Sequence, residues 1–207
     1  MTGAGKRQAF VPDLLGRSDY ALIGEIVEPG SRVLDLGCGE GELLEWLAAQ
    51  KNVEARGVEI ESAKVQRAIA RGVSVYQGDI NEGLADYPDQ AFDYVILSQT
   101  LQETRQPRQV LREMLRVGRR LIVAFPNFGH WKVRLSLLSS GRAPRTALFP
   151  YEWYDSPNVH FLTIVDFEDL VRRQRWTVER RRFLTGHLSL AFAPNWFAEI
   201  AVYQIRR

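Results

Sequence analysis

The densest chemistry in this sequence sits in nine residues, Val33-Leu34-Asp35-Leu36-Gly37-Cys38-Gly39-Glu40-Gly41. Glycines at alternate positions let a backbone turn sharply and approach a ligand with no Cβ in the way. A dinucleotide site would need G-x-G-x-x-G, and Glu42 stands where the third glycine should be. Asp35, Glu40 and Glu42 surround the turn with carboxylates. Such a loop repels a pyrophosphate, at ~1 kcal/mol or more per close pair even in a watery site. It tolerates a ligand carrying an ammonium and a sulfonium. The charge pattern therefore favours S-adenosylmethionine (AdoMet), with S-adenosylhomocysteine as the demethylated product.

Two further acids follow in register. Glu59, with Ile60 beside it, ends the next apolar run, 18 residues after Gly41. A carboxylate there can accept hydrogen bonds from both hydroxyls of a ribose; otherwise it is a surface acid at a strand end. Asp79 follows a third run in Gln77-Gly78-Asp79-Ile80. Its side chain can take an adenine amino group, while the Ile80 amide meets a ring nitrogen and its side chain covers the ring. Alone, Gly-Asp is an ordinary turn. Ser98-Gln99 leaves a fourth apolar run, where the donor and its methyl acceptor should meet.

Methyl transfer is an in-line displacement at carbon, and the protein's main tasks are alignment and exclusion of water. A general base is needed only for an acceptor that carries a proton at neutral pH. The candidates lie beyond residue 126: His130, Tyr154 and His160 as catalytic groups, with Asn127, Tyr151 and Asn158 as further pocket formers. A histidine can act as base or merely pack. Cys38 fits the loop by size rather than by thiol chemistry. The three histidines, His130, His160 and His187, lack metal-ligand spacing, so no metal is expected.

These residues need a frame. Helical patterns at Arg17–Val27, Glu42–Gln50, Ser62–Arg71 and Pro107–Val117 alternate with apolar runs at Arg32–Leu36, Glu54–Ile60, Val73–Gln77, Phe92–Leu97 and Arg120–Phe125. Gly72 and Pro126 act as stop signals. That alternation predicts βαβ units, a parallel sheet and helices on both faces. Asn127–Val165 breaks the pattern, gathering Trp131, Pro144, Pro150, Trp153 and Pro157 with no clean strand. It is expected to be a lid-like insertion over 127–165, opening with a helix at Trp131–Leu138, within a single domain over 1–207. A helix from Asp166, as N-cap, to Gln174 and an antiparallel pair, Thr177–Leu184 and Phe197–Ile205, should close the sheet.

The 207 residues, 45% of them hydrophobic, suit one globular domain. The apolar runs are strand-sized, far short of the roughly 20 residues a membrane span needs. The N-terminus lacks an apolar signal region. With Cys38 alone, no intramolecular disulfide can form. A cytoplasmic location is the expectation. The net charge of +2 hides an asymmetry: residues 1–104 carry 9 basic and 17 acidic side chains, residues 105–207 carry 18 and 8. The arginines are scattered at helical spacing, as in Arg105, Arg108, Arg112 and Arg116, so a solvated face is favoured over an acidic partner, and nucleic acid is disfavoured.

From Asp13 to Ile205 the sequence resembles class I AdoMet-dependent methyltransferases and, within them, the methionine biosynthesis protein MetW family. The likeness rests on Arg32–Glu45, Asp93–Gln102, Ala124–Val133 and Tyr151–Thr163. The resemblance implies a Rossmann-like, seven-stranded, mostly parallel sheet of order 3-2-1-4-5-7-6. It implies that the loop glycines and Asp35 cradle the methionine part of AdoMet, Glu59 the ribose and Asp79-Ile80 the adenine. It also implies a place in methionine biosynthesis beside a homoserine O-acyltransferase. Residues before Asp13 fall outside the likeness and are expected to be disordered. Two functions compete: methyl transfer to a small polar metabolite, and an AdoMet-responsive partner of the acyltransferase.

Overall fold

The computed structural model describes residues 17–82 and 84–207. The expectation for the stretch before Asp13 lies outside them. In chain order the elements are α1 (Ser18–Ile26), β1 (Arg32–Leu36), α2 (Glu42–Lys51), β2 (Glu54–Glu59), α3 (Ser62–Ala70), β3 (Ser74–Gln77) and β4 (Phe92–Ser98). There follow α4 (Pro107–Val117), β5 (Gly118–Pro126), α5 (Trp131–Ser140), α6 (Ile164–Gln174), β6 (Thr177–Thr185), β7 (Leu188–Ser189), α7 (Pro194–Phe197) and β8 (Ile200–Arg206). A single 3-10 turn, Leu101–Glu103, follows β4.

One sheet runs β3-β2-β1-β4-β5-β8-β6-β7. The first five pair in parallel, and β8 runs antiparallel between β5 and β6. Eight strands replace the expected seven because the chain turns at Gly186 (φ +52) into a two-residue strand, β7, on the edge of β6. Without β7 the order is the one anticipated. β8 starts at Ile200 rather than Phe197 because Ala193-Pro194 opens the short α7. Pro at the first helical position needs no amide partner there.

Alternation along the strands divides the core in two. Val33, Ile96 and Ala124 join α1 and α2 on one face; Leu34, Val95, Leu97 and Phe125 join α4 and α6 on the other. Phe125, Phe167 and Tyr203 pack ring on ring where α6 crosses the sheet. The Tyr203 hydroxyl donates to Glu168.

The cap of α6 corrects the sequence reading. Thr163, not Asp166, is the N-cap: its hydroxyl accepts the Asp166 amide while the Asp166 carboxylate accepts the Thr163 amide. The reciprocal box outweighs a lone Asp because it satisfies two orphan donors at once.

Candidate functional site

The parallel strands end together at one edge of the sheet, and the order reverses between β1 and β4. Ligand crevices form at such a point because the connections leave to opposite faces. A cavity of about 520 Å³ lies there. Asp35, Gly37, Cys38, Gly39, Glu59, Ile60, Asp79, Ile80, Ser98 and Gln99 all line it. Of the sequence-selected cofactor residues, Gly41 alone does not. It adopts φ +80 at the N-cap of α2, where a Cβ would press on Ala68 and Val73, so its role is to seat α2 against α3. At Gly39 (φ +59) a Cβ would meet nothing within 4 Å, leaving its backbone open toward the cavity.

The carboxylates divide by partner. Glu40 pairs with Arg67 at 2.8 Å, and Glu42 lies 3.5 Å from Arg71. Cations of α3 and its C-terminal cap thus offset two of the three loop acids, which weakens the repulsion argument for those two. Glu59 ties the loop: Oε2 accepts the Gly39 amide at 3.0 Å, and Oε1 accepts the Ile60 and Glu61 amides at 2.9 Å. About one of its roughly four lone-pair sites stays open, on Oε2. Asp79 Oδ1 accepts the Asn81 amide and side chain, each at 2.8 Å.

Asp35 is the acid left without a hydrogen-bond partner. Its Oδ1 is buried and has no hydrogen-bond partner. Burial pushes its carboxyl up to about 8, with Asp19 and Glu59 adding to the shift and Arg17 opposing it. A buried carboxylate is expensive unless a cation or donor meets it. The site therefore suits a cationic ligand next to Asp35.

Sequence reasoning missed the group that faces it. Arg17 Nε and Nη2 form a fork on Asp19 at 2.9 and 2.7 Å, and Nη2 also reaches Ser98 Oγ at 3.1 Å. Burial works against the Arg17 charge, but Asp19 outweighs it and raises the guanidinium pKa. Arg17 also lies over the Tyr20 ring, 4.4 Å from its centroid, and both residues line the cavity. The signal was Asp19 itself, an acid one turn before Leu22 and Ile23 on the buried stripe of α1.

The catalytic candidates do not converge. His130 is buried as the N-cap of α5, its Nδ1 accepting the Lys132 amide; burial lowers its pKa, and it does not line the cavity. Tyr154 stands 65% exposed, edge-on to Trp153 and away from the cavity. Tyr151 and Asn158 border a separate small apolar pocket with Phe128, Phe149 and Phe161. Asn127 is fully buried, donating to the Asn195 and Ala198 carbonyls and accepting the Gly129 and Ile164 amides, so it pins both ends of the 127–163 segment. His160 comes nearest the cavity. Its amide and that of Val159, a lining residue, both donate to the Gln102 carbonyl, and the Gln102 side chain donates to the Gln99 carbonyl. The His160 Nε2 is buried and unpartnered. Cys38 packs over Gly57, and burial pushes its thiol up to about 12, which removes the thiolate.

Residues 17–205 match the family described as methionine biosynthesis protein MetW. The chain belongs to that family. A relative from Rhodopirellula baltica, the bifunctional methionine biosynthesis protein MetXA/MetW, is 36% identical over 184 residues, covering 84% of this chain and 30% of its own length. The chain spans under half the length of the curated relatives it matches. Among solved structures, an S-adenosylmethionine-dependent methyltransferase from Mesorhizobium loti matches with TM-score 0.66 at 17% identity, over 90% of this chain and 96% of its own. A Thermotoga maritima methyltransferase, described as a possible histamine N-methyltransferase, matches with TM-score 0.62 at 19% identity, over 88% and 84%. The fold is thus the Rossmann-like methyltransferase fold, in a family tied to methionine biosynthesis. Among the described residues, no helix is long and apolar enough to cross a membrane.

Proposed function

We propose that this chain binds AdoMet in the cavity at the strand ends and passes its methyl group to a small polar metabolite. The observation that carries this reading is the orphaned Asp35 carboxylate beside the Arg17 guanidinium, under a loop whose Gly39 backbone faces open space. That pair matches the two ends of an amino acid. Asp35 would hold the ammonium and Arg17 the carboxylate, with the ribose on Glu59 and the adenine between Ile60, Asp79 and Ile80. Bound AdoMet supplies a methyl group already activated by its sulfonium. The chain's part is to orient the acceptor beyond Ser98 and Gln99 and to exclude water, with the 127–165 segment as lid. His160 is the candidate base for an amine or hydroxyl acceptor; a carboxylate acceptor needs none.

Incubating the full chain with methyl-labelled AdoMet and fractionated metabolites tests this. Acceptor-dependent label transfer that Asp35→Asn lowers more than tenfold at sub-saturating AdoMet supports it. Calorimetric uptake of NAD, with none of AdoMet or S-adenosylhomocysteine, would sink it.

A second reading is favoured by the Rhodopirellula baltica relative, which carries MetXA and MetW in one polypeptide. In it the chain is an AdoMet-responsive partner of a homoserine O-acyltransferase. Linkage then requires AdoMet and the acyltransferase to change each other's affinity by the same factor. Equal acyltransferase affinity with and without saturating AdoMet removes it.

A further inference from the structure

Helix α5, Trp131–Ser140, buries one side chain of its ten, Val133. At 100° per residue Val133 points roughly opposite to Trp131, Leu135 and Leu138, which share one outward stripe. Leu135 is 53% exposed and Leu138 85%. Exposed aromatics of α7 lie beside the helix. Arg134, on its shoulder, lies over the Trp196 ring at 4.2 Å, and Phe192 stacks on Phe197 alongside; Trp196 and Phe197 are half exposed and Phe192 is 78% exposed. Soluble chains rarely leave this many large apolar side chains exposed on neighbouring elements without something to cover them. Its margin is cationic, with Arg134 beside Trp196 and Arg142 just past the helix end.

We infer that this surface, Trp131–Leu135–Leu138 continued by Phe192, Trp196 and Phe197, is where a homoserine O-acyltransferase chain docks. The inference rests on the second reading above and goes beyond it by naming the face. In the Rhodopirellula baltica relative MetXA and MetW share one polypeptide. Tethering holds two parts at high effective concentration, an arrangement that serves parts working in contact. Where the two are separate chains, the contact must supply its own free energy. Burial of apolar surface is the main source, and the α5 stripe with the aromatics of α7 is an apolar surface with a cationic margin that the chain presents. The complementary face should be apolar, centred on aliphatic or aromatic side chains, with carboxylates at its rim to meet Arg134 and Arg142. Docking there would also load the segment whose far end, at the lining residue Val159, is bonded to Gln102.

The test is a titration of the full chain with the purified acyltransferase from the same organism, in three forms: wild type, Leu135→Glu/Leu138→Glu, and Ile69→Glu. Ile69 is exposed on α3, at the other end of the sheet. The expected result is a wild-type complex that the double variant weakens at least about tenfold, since charges at a buried contact centre lose its hot-spot energy. Ile69→Glu should bind as wild type. The double variant should keep its thermal midpoint and its AdoMet affinity, which shows that the fold is intact. A wild-type complex that the double variant forms equally well overturns the assignment of the face and leaves the partner reading standing. No wild-type complex removes the partner reading and this inference together. A wild-type self-associated species that the double variant breaks, in sedimentation, assigns the face to a second copy and overturns the inference.

Discussion

Asp35 is where chemistry and stability oppose each other. Burial holds its carboxyl up to about 8, against an unfolded value of 3.8. Between those values the unfolded chain binds fewer protons than the folded one, so this residue makes stability fall as pH rises, and its effect levels off above about 8. A ligand ammonium selects the ionised form. Binding near pH 7 should therefore release a proton, and AdoMet affinity should climb from pH 6 towards 8. It should decline beyond that as the ligand's own α-amino group, of ordinary pKa about 7.7–8.0, loses its charge. Calorimetry in buffers of different ionisation enthalpy reads the proton directly. Asp35→Asn should flatten the acidic limb and weaken binding by about 1.5–3 kcal/mol, more than tenfold. The same variant should raise the thermal midpoint of the free protein at pH 8, because it removes a buried orphan charge. A lower midpoint at that pH contradicts the account. The loop's pattern announced an acid-rimmed turn, but not which acid would be left alone. That depended on Arg67 of α3 and Arg71 at its C-terminal cap, which occupy Glu40 and Glu42.

At the scale of elements, βαβ alternation was legible because it is local: apolar runs of strand length, helical stripes, and stop signals between them. The ends of elements were less so. Thr163 and Asp166 form a reciprocal cap whose spacing is present in the sequence, and the stronger single-residue preference of Asp obscured it. Thr163→Ala should cost about 1 kcal/mol of unfolding free energy, measured by denaturant titration, with the slope unchanged. Asp166→Ala should cost a similar amount, since each residue satisfies one donor of the pair. A loss confined to Asp166→Ala would reinstate Asp166 as the cap. Helix α5 shows a different limit. Its periodicity is plain, yet periodicity cannot tell an apolar stripe that packs inward from one that faces out.

Across the whole molecule, one buried side chain ties distant stretches together. Asn127 bonds the exit of β5 to the start of α6 and to the α7–β8 connection through four hydrogen bonds. Its full burial means each broken bond leaves a backbone group without water. Asn127→Ala should lower stability by about 2–4 kcal/mol. Asn127→Asp, which keeps the acceptor but loses both donors to the Asn195 and Ala198 carbonyls, should also be destabilised. Chemical denaturation checks both, and a near-neutral Asn127→Ala would show that Asn127 does not clamp the fold. Nothing in the local sequence distinguishes this asparagine from a pocket residue. Its partners lie up to 71 positions away.

Residue order alone determined the class of sheet, the glycine turn and the positions of Asp35, Glu59 and Asp79 at or just past the ends of successive strands, because parallel strands in register must deliver their ends to one edge. Only the tertiary structure decided which of those acids is free, that Arg17 and Asp19 stand opposite Asp35, and that His130 and Tyr154 lie away from the cavity. The reason is physical: charge pairing and burial are set by what arrives from elsewhere in the chain, whereas strand and turn are set by neighbours a few residues apart.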